Sequence, residues 1–301
     1  MVKIDIIGAP TAFGQPKLGV SLGPDAVRFC GLKKHLSELG HDVADLGNVY
    51  GSYRPEYGTH DIKNDEGLFN FEQVKDFSER LASTVEASLN RNHFPFIVGG
   101  DHSLSIGSIS GMANKYNNLG VLWIDAHGDI NNSETSPSGN IHGMPLGVLL
   151  GEGSEELVNI HHEGAKLKHE NIVLIGVRDL DSGEKTYIKE HGIKCYTMSD
   201  VERLGLDVVI TKSLKYLQDC DGIHLSLDVD SLDPLEIQGT GTKVAGGIFL
   251  SAMLLGLNIL SKTELLVSAD LVEVNPLLDD CNDTAEKAVK IAEYIFGQSQ
   301  L

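Results

Sequence analysis

Short apolar, β-branched runs recur along this chain at 2–7, 94–98, 120–124, 171–175, 222–227 and 265–269, and most are apolar throughout instead of alternating with polar residues. A strand without alternation has no face to offer to water, so it belongs in a sheet covered on both sides. Longer stretches with helical spacing separate the runs. In 283–297, Ala288, Ile291, Ala292 and Ile295 recur at i, i+3, i+4, i+7 after Asp283-Thr284, a candidate N-cap, and Gly297 closes the pattern. Segments 73–90 and 201–217 read the same way. Strand–helix alternation over the whole length predicts an α/β fold, a three-layer α-β-α arrangement around a central, mainly parallel sheet. No Pro/Gly/Ser linker, repeat or low-complexity tract interrupts it, so residues 1–301 are expected to form a single domain. The polar stretch 51–67 reads as a surface excursion.

The 24 Lys+Arg against 43 Asp+Glu give a formal net charge of −19. Such a chain has no positive field for nucleic acid or an anionic membrane surface, but it suits a cationic small substrate or divalent metals. No signal peptide or membrane-spanning run is readable, and Cys30, Cys195, Cys220 and Cys281 are scattered without zinc-finger spacing. They read as reduced thiols, and the expected location is the cytoplasm.

Chemistry concentrates where three apolar runs end. The run at 120–124 leads into Asp125-Ala126-His127-Gly128-Asp129. If the strand continues, the i, i+2, i+4 spacing sends all three ligand-type side chains to one face. The run at 222–227 leads into Asp228-Val229-Asp230, again at i, i+2. His224 inside that run reads as a core residue or one that supports the ligands from behind, and Asp233-Pro234 as a turn or cap. After 94–98, Gly99-Gly100 allow a tight turn that presents Asp101 and His102. Converging carboxylates repel each other and resist burial unless a cation compensates them. His102, Asp125, His127, Asp129, Asp228 and Asp230 exceed what one divalent ion needs, whereas two ions with bridging carboxylates use all of them. Oxygen-rich ligation without cysteine favours manganese over structural zinc. A pair of ions ~3.5–4 Å apart can hold and deprotonate a bridging water. The residues thus point to a binuclear metallohydrolase. Dinucleotide, P-loop and serine-hydrolase signatures are absent.

Gly-Gly-Asp-His-Ser (99–103), Asp-Ala-His-Gly-Asp (125–129) and Ser-Leu-Asp-Val-Asp-Ser-Leu-Asp-Pro (226–234) together resemble the three signatures of the ureohydrolase family, which includes arginases, agmatinases and formiminoglutamases. The resemblance runs from the Gly8-Ala-Pro, Gly14-Gln-Pro and Gly23-Pro24 pieces to Glu273-Val-Asn-Pro276, and it is strongest to the arginases. It implies manganese-dependent hydrolysis of L-arginine to L-ornithine and urea by a metal-bridging hydroxide, with two Mn2+ per subunit. Agmatine or another guanidino compound is the alternative substrate, and a homo-oligomer, trimer or hexamer, is the implied assembly.

The resemblance also distributes roles. One ion falls to His102, Asp125, Asp129 and Asp228, and the other to His127, Asp125, Asp228 and Asp230. Asn131, Ser138 and Asn140 are implied to bind the substrate α-carboxylate, which agmatine lacks. Asp181 takes the α-amino group with Glu184 assisting through water, Glu273 lies near the guanidinium, and Thr242 contacts Glu273 or the substrate. Asp129 passes a proton to the leaving nitrogen and His142 exchanges protons with solvent. The chain departs from many arginases at Ser251-Ala252, where an Arg-Glu pair is common, and at Lys243, where proline is common.

Overall fold

The computed structural model describes residues 1–53 and 62–299. Part of the expected excursion at 51–67 therefore lies outside the described residues. Among those described, eight strands form one sheet: β1 (Lys3–Ala9), β2 (Asp42–Asn48), β3 (Phe94–Gly99), β4 (Leu119–Ile124), β5 (Ile172–Val177), β6 (Lys194–Thr197), β7 (Gly222–Asp228) and β8 (Leu266–Val272). Their order is β2-β1-β3-β8-β7-β4-β5-β6, and every neighbouring pair is parallel.

Helices cover both faces, as the unbroken apolar strands require. On one face the helices Phe71–Asn90, Ser105–Ser110 and Ser182–Glu190 bring Phe77, Leu81, Ile109 and Ile188 against Val121, Trp123, Ile172 and Leu174. On the other, Val209, Leu257 and Ile291 pack against Leu122, Ile124, Val173 and Leu225. Odd and even positions of β4 thus enter different cores, which is the pleat expressed in packing. Among the described residues no helix is long and apolar enough to cross a membrane.

Local details differ from the sequence expectation. The periodic segment 201–217 is two helices, Met198–Leu204 and Leu206–Tyr216, because Gly205 (φ 87°) breaks the path between them. The last helix, Asp283–Ile295, has Asn282 rather than Asp283 at its N-cap position, without a side-chain cap bond. Asp279 does the capping instead, accepting from the Thr284 N–H at 2.9 Å and from its hydroxyl at 2.8 Å.

The strand order positions the site. The chain builds β1–β3 on one side and β4–β6 on the other, then fills the gap with β7 and β8. The four central strands, β3-β8-β7-β4, consequently end side by side, and the loops at their carboxyl ends meet over the middle of the sheet.

Candidate functional site

The loops after β3, β4 and β7 bring His102, Asp125, His127, Asp129, Asp228 and Asp230 together. His102 Nδ1 lies 3.0 Å from Asp125 Oδ2, 3.0 Å from Asp129 Oδ2 and 3.2 Å from Asp228 Oδ2. His127 Nδ1 lies 3.3 Å from Asp125 Oδ1 and 3.2 Å from Asp230 Oδ2. Two groups able to hold a metal ion result, His102/Asp125/Asp129 and Asp125/His127/Asp230, with Asp125 common to both.

The route to this convergence differs from the expected one. β4 ends at Ile124, so Asp125, His127 and Asp129 do not ride on a continuing strand. They sit on a loop in which Asp129 takes the left-handed conformation (φ 51°), rare for a residue with a Cβ. Asp228 ends β7, and its Oδ1 accepts from the Asp230 N–H at 2.7 Å across a short turn, Val229–Ser231. Glu273, immediately after β8, is also left-handed (φ 66°). Such backbone costs on the order of 1–3 kcal/mol and persists where the surroundings over-determine it.

Residues that sequence reasoning passed over fix the ligands. His102 Nε2 is 2.8 Å from Ser226 Oγ, and Trp123 Nε1 donates to Asp125 Oδ2 at 3.1 Å. The His102 Nδ1 atom is buried without a well-formed hydrogen bond although three carboxylates surround it. That is the environment of a metal ligand, and hard oxygen donors with imidazoles suit a divalent cation.

The electrostatics agree. Burial opposes the charged form of His102 and His127, yet hydrogen bonds to the surrounding aspartates hold both above the ordinary imidazole range. Burial and the charges of Asp230 and Asp125 raise Asp228 well above the usual carboxylate range. Burial and then Asp125 raise Asp129 to about 6. Crowded acids that hold on to protons are sites where a cation relieves repulsion.

Over the cluster opens a cleft of about 160 Å³ whose wall includes His127, Asp129 and Asp228 with Asn131, Ser138, Asn140 and Asp181. Asn131 Nδ2 donates to Asp181 Oδ2 at 3.0 Å. Asp181 also occupies the N-cap position of the helix Ser182–Glu190 in a capping box with Glu184. Glu184 accepts from the Asp181 N–H at 2.8 Å and the Ile130 N–H at 3.2 Å, and burial pushes it up to about 7. His142 lines the same cleft with its Nδ1 3.5 Å from Glu273 Oε1. Burial opposes its charged form, but Glu273 and then Asp129 raise its pKa.

Two of the expected residues make contacts that the sequence did not indicate. Thr242 lines the cleft but its hydroxyl donates to Asp230 Oδ2 at 2.8 Å, not to Glu273. Glu273 is almost fully buried (1% exposed) and reaches the cleft through His142. Its partners are Gln15 Nε2, at 2.7 Å, and the His102 N–H, at 3.0 Å. His224, expected in the core, is fully buried with Nδ1 2.7 Å from Ser268 Oγ.

The family model of the arginase family matches residues 2–297. The chain belongs to the arginase family. It is 50% identical over 301 residues to an arginase of Staphylococcus aureus (strain COL), covering 99% of this chain and 98% of that one. Among solved structures, the native arginase of Bacillus caldovelox at pH 5.6 superimposes with a TM-score of 0.95 at 44% identity, with both chains covered completely (100%). An Entamoeba histolytica arginase in complex with L-ornithine gives a TM-score of 0.89 at 33% identity, covering 98% of this chain and 99% of that one. Membership in the arginase family extends over the whole sheet, since the matched residues include every strand from β1 to β8.

Proposed function

We propose that the protein hydrolyses L-arginine to L-ornithine and urea with two manganese ions. One observation supports this most: a carboxylate–imidazole floor and a rim of neutral amides and hydroxyls beside an anionic Asp181 share a single cleft. L-Arginine carries a cationic guanidinium at one end and an ammonium and a carboxylate at the other, and each meets its complement. Asn131, Ser138 and Asn140 suit the α-carboxylate, and Asp181, backed by Glu184, suits the α-ammonium. Agmatine has no carboxylate for that rim, and the relatives quoted above are named arginases, so arginine is favoured over other guanidino compounds.

His102, Asp125, Asp129 and Asp228 would hold one ion, and His127, Asp125, Asp228 and Asp230 the other. The sharing of Asp125 by the two groups and the approach of Asp228 to His102 support that assignment. When bound, such ions supply a nucleophilic hydroxide at neutral pH and positive charge beside the reacting carbon. In the reaction a water oxygen bonds to the guanidinium carbon, the bond from that carbon to the ornithine nitrogen breaks, and that nitrogen gains a proton. Asp129, on the cleft floor, holds and delivers this proton. His142, between the cleft and Glu273, exchanges it with solvent. Glu273, held by Gln15 and close to His142, would contribute negative charge on the guanidinium side.

The reading extends to residues 1–301 as one functional unit, to a homo-oligomer and to the cytoplasm. One sheet drawing on both ends of the chain supports the single unit, four free cysteines suit a reducing compartment, and the homo-oligomer rests on the family resemblance alone. The test is urea release by manganese-loaded protein with L-arginine and agmatine side by side. Strong preference for arginine is expected. Preference for agmatine overturns the assignment of the rim, and silence on both with full metal loading overturns the activity.

A further inference from the structure

The loop after β5 contains a half-buried arginine for which the reaction has no direct use. Arg178 directs its guanidinium at the backbone and not at an acid. Its Nη2 donates to Asp230 O at 2.7 Å, Val244 O at 2.9 Å and Leu232 O at 3.3 Å. Its Nη1 donates to Ser231 O at 3.2 Å and Gly176 O at 3.3 Å, and its Nε to Val244 O at 3.2 Å. Among the described residues no carboxylate oxygen lies within 4.0 Å of it. In a chain with 43 acidic residues that is a conspicuous choice of partner.

The segments it grips share one property. The Arg178 N–H donates to Ala126 O at 2.8 Å, and Ala126 stands between Asp125 and His127. The carbonyls of Asp230, Ser231 and Leu232 form the turn that carries Asp230. Val244 lies two residues after Thr242, whose hydroxyl donates to Asp230 Oδ2 at 2.8 Å. Arg178 therefore ties together three loops around the Asp125/His127/Asp230 group. Its side-chain bonds reach neither His102 nor Asp129 of the other group. A planar fork with five N–H donors can serve several carbonyls in fixed directions, whereas a lysine ammonium offers three hydrogens from one point.

We propose that Arg178 is a positioning residue for one of the two ion positions, the one formed by Asp125, His127 and Asp230. It holds the backbone behind these ligands so that their side chains converge, and it places a fixed positive charge beside crowded carboxylates. This rests on the two-ion reading above. The outer partners of metal ligands commonly change metal affinity by ~10–100-fold when removed.

The test is metal stoichiometry, independent of turnover. Wild type, Arg178→Lys, Arg178→Gln and His127→Asn are loaded with excess manganese, desalted and assayed for metal per chain. Electron paramagnetic resonance then separates coupled pairs from isolated ions. The expected result is about two ions in wild type, about one in both Arg178 variants, and an isolated-ion spectrum matching His127→Asn. Combining Arg178→Lys with His102→Asn should remove both ions. Wild-type protein that binds a single ion overturns the two-ion reading and this assignment with it. Two ions in wild type and two, equally retained, in the Arg178 variants overturn the assignment alone. So does equal weakening of both ions, or failure of both variants to fold by circular dichroism, which would make Arg178 a residue of the fold and not of one ion position.

Discussion

Trp123 lies flat against His102, with ring centroids 4.1 Å apart and planes 6° from parallel, while its indole N–H donates to Asp125 Oδ2 at 3.1 Å. One side chain of β4 thus restrains two ligand-type residues from different loops. The stack fixes the imidazole plane, and the indole bond fixes which oxygen of Asp125 faces the cluster. Trp123→Phe keeps a ring for the stack and removes the donor. It should cost about 2–4 kcal/mol of stability in the metal-free protein, from the lost hydrogen bond and the cavity left by the smaller ring. Manganese affinity by calorimetry should weaken by ~10-fold or more, as for other partners of metal ligands. Unchanged affinity would make the indole bond incidental.

Asp181 offers a separable test of substrate recognition. It accepts from Asn131 and caps the helix Ser182–Glu190, so Asp181→Ala confounds two roles. Asp181→Asn keeps the shape and a capping side chain but loses the charge. A charge-assisted hydrogen bond contributes about 1.5–3 kcal/mol, so KM for L-arginine should rise by roughly 10–100-fold with kcat changed far less. Steady-state urea release measures both constants. A loss confined to kcat would place Asp181 away from the bound substrate.

How much of this the sequence revealed depends on whether the signal is local. The six central strands were legible because residues such as Val121, Ile124, Val173 and Leu225 are fully buried, and burial on both faces leaves an unbroken apolar run. The edge strands β2 (Asp42–Asn48) and β6 (Lys194–Thr197) were not, since each has one neighbour and retains exposed polar residues. The ligand-type residues were found through their chemistry, although the geometry assumed for Asp129 was wrong. A left-handed aspartate leaves no mark in spacing. Gln15, Trp123, Arg178 and Ser226 escaped notice because an amide, an indole, a cation and a hydroxyl are not ligand types. Apart from the local bond of Trp123 to Asp125, their contacts with the site residues join segments far apart in sequence, which the insertion of β7 and β8 between β3 and β4 brings together.

Metal uptake should depend on pH with a definite sign. In the metal-free chain, hydrogen bonds to the surrounding aspartates outweigh burial and keep His102 and His127 protonated above the ordinary imidazole range. A cation must displace those protons, so apparent affinity should strengthen as pH rises, by up to ~10-fold per pH unit for each proton released. Calorimetry in buffers of different ionisation enthalpy counts the protons. Chelation of both ions should lower the thermal midpoint by about 8–9 °C relative to protein at manganese ~100-fold above each Kd. Affinity that stays level from pH 6 to 8.5 would contradict this picture.

At the opposite end of the sheet, Asp5 makes a prediction about stability alone. It is buried in β1, where Oδ2 accepts from Ser88 Oγ at 2.6 Å and Arg91 Nη2 at 2.7 Å, and Oδ1 lies 3.0 Å from His93 Nδ1. Those partners belong to the end of the helix Phe71–Asn90 and the turn after it, so the carboxylate docks that helix onto the sheet. Burial raises the Asp5 pKa, but Ser88, His93 and Arg91 together outweigh it and the net shift is downward. A depressed folded pKa means that the unfolded chain binds the proton more readily. The stabilisation is therefore complete above the unfolded value near ~3.9 and is lost as pH falls through the folded one. Asp5→Asn should destabilise the chelated protein by about 1–3 kcal/mol at pH 7, because the donors lose their charged acceptor. Urea unfolding at pH 7, 5 and 3 should show the two proteins converging only at the lowest pH. A gap of constant size would assign the stabilisation to the shape of Asp5 and not to its charge.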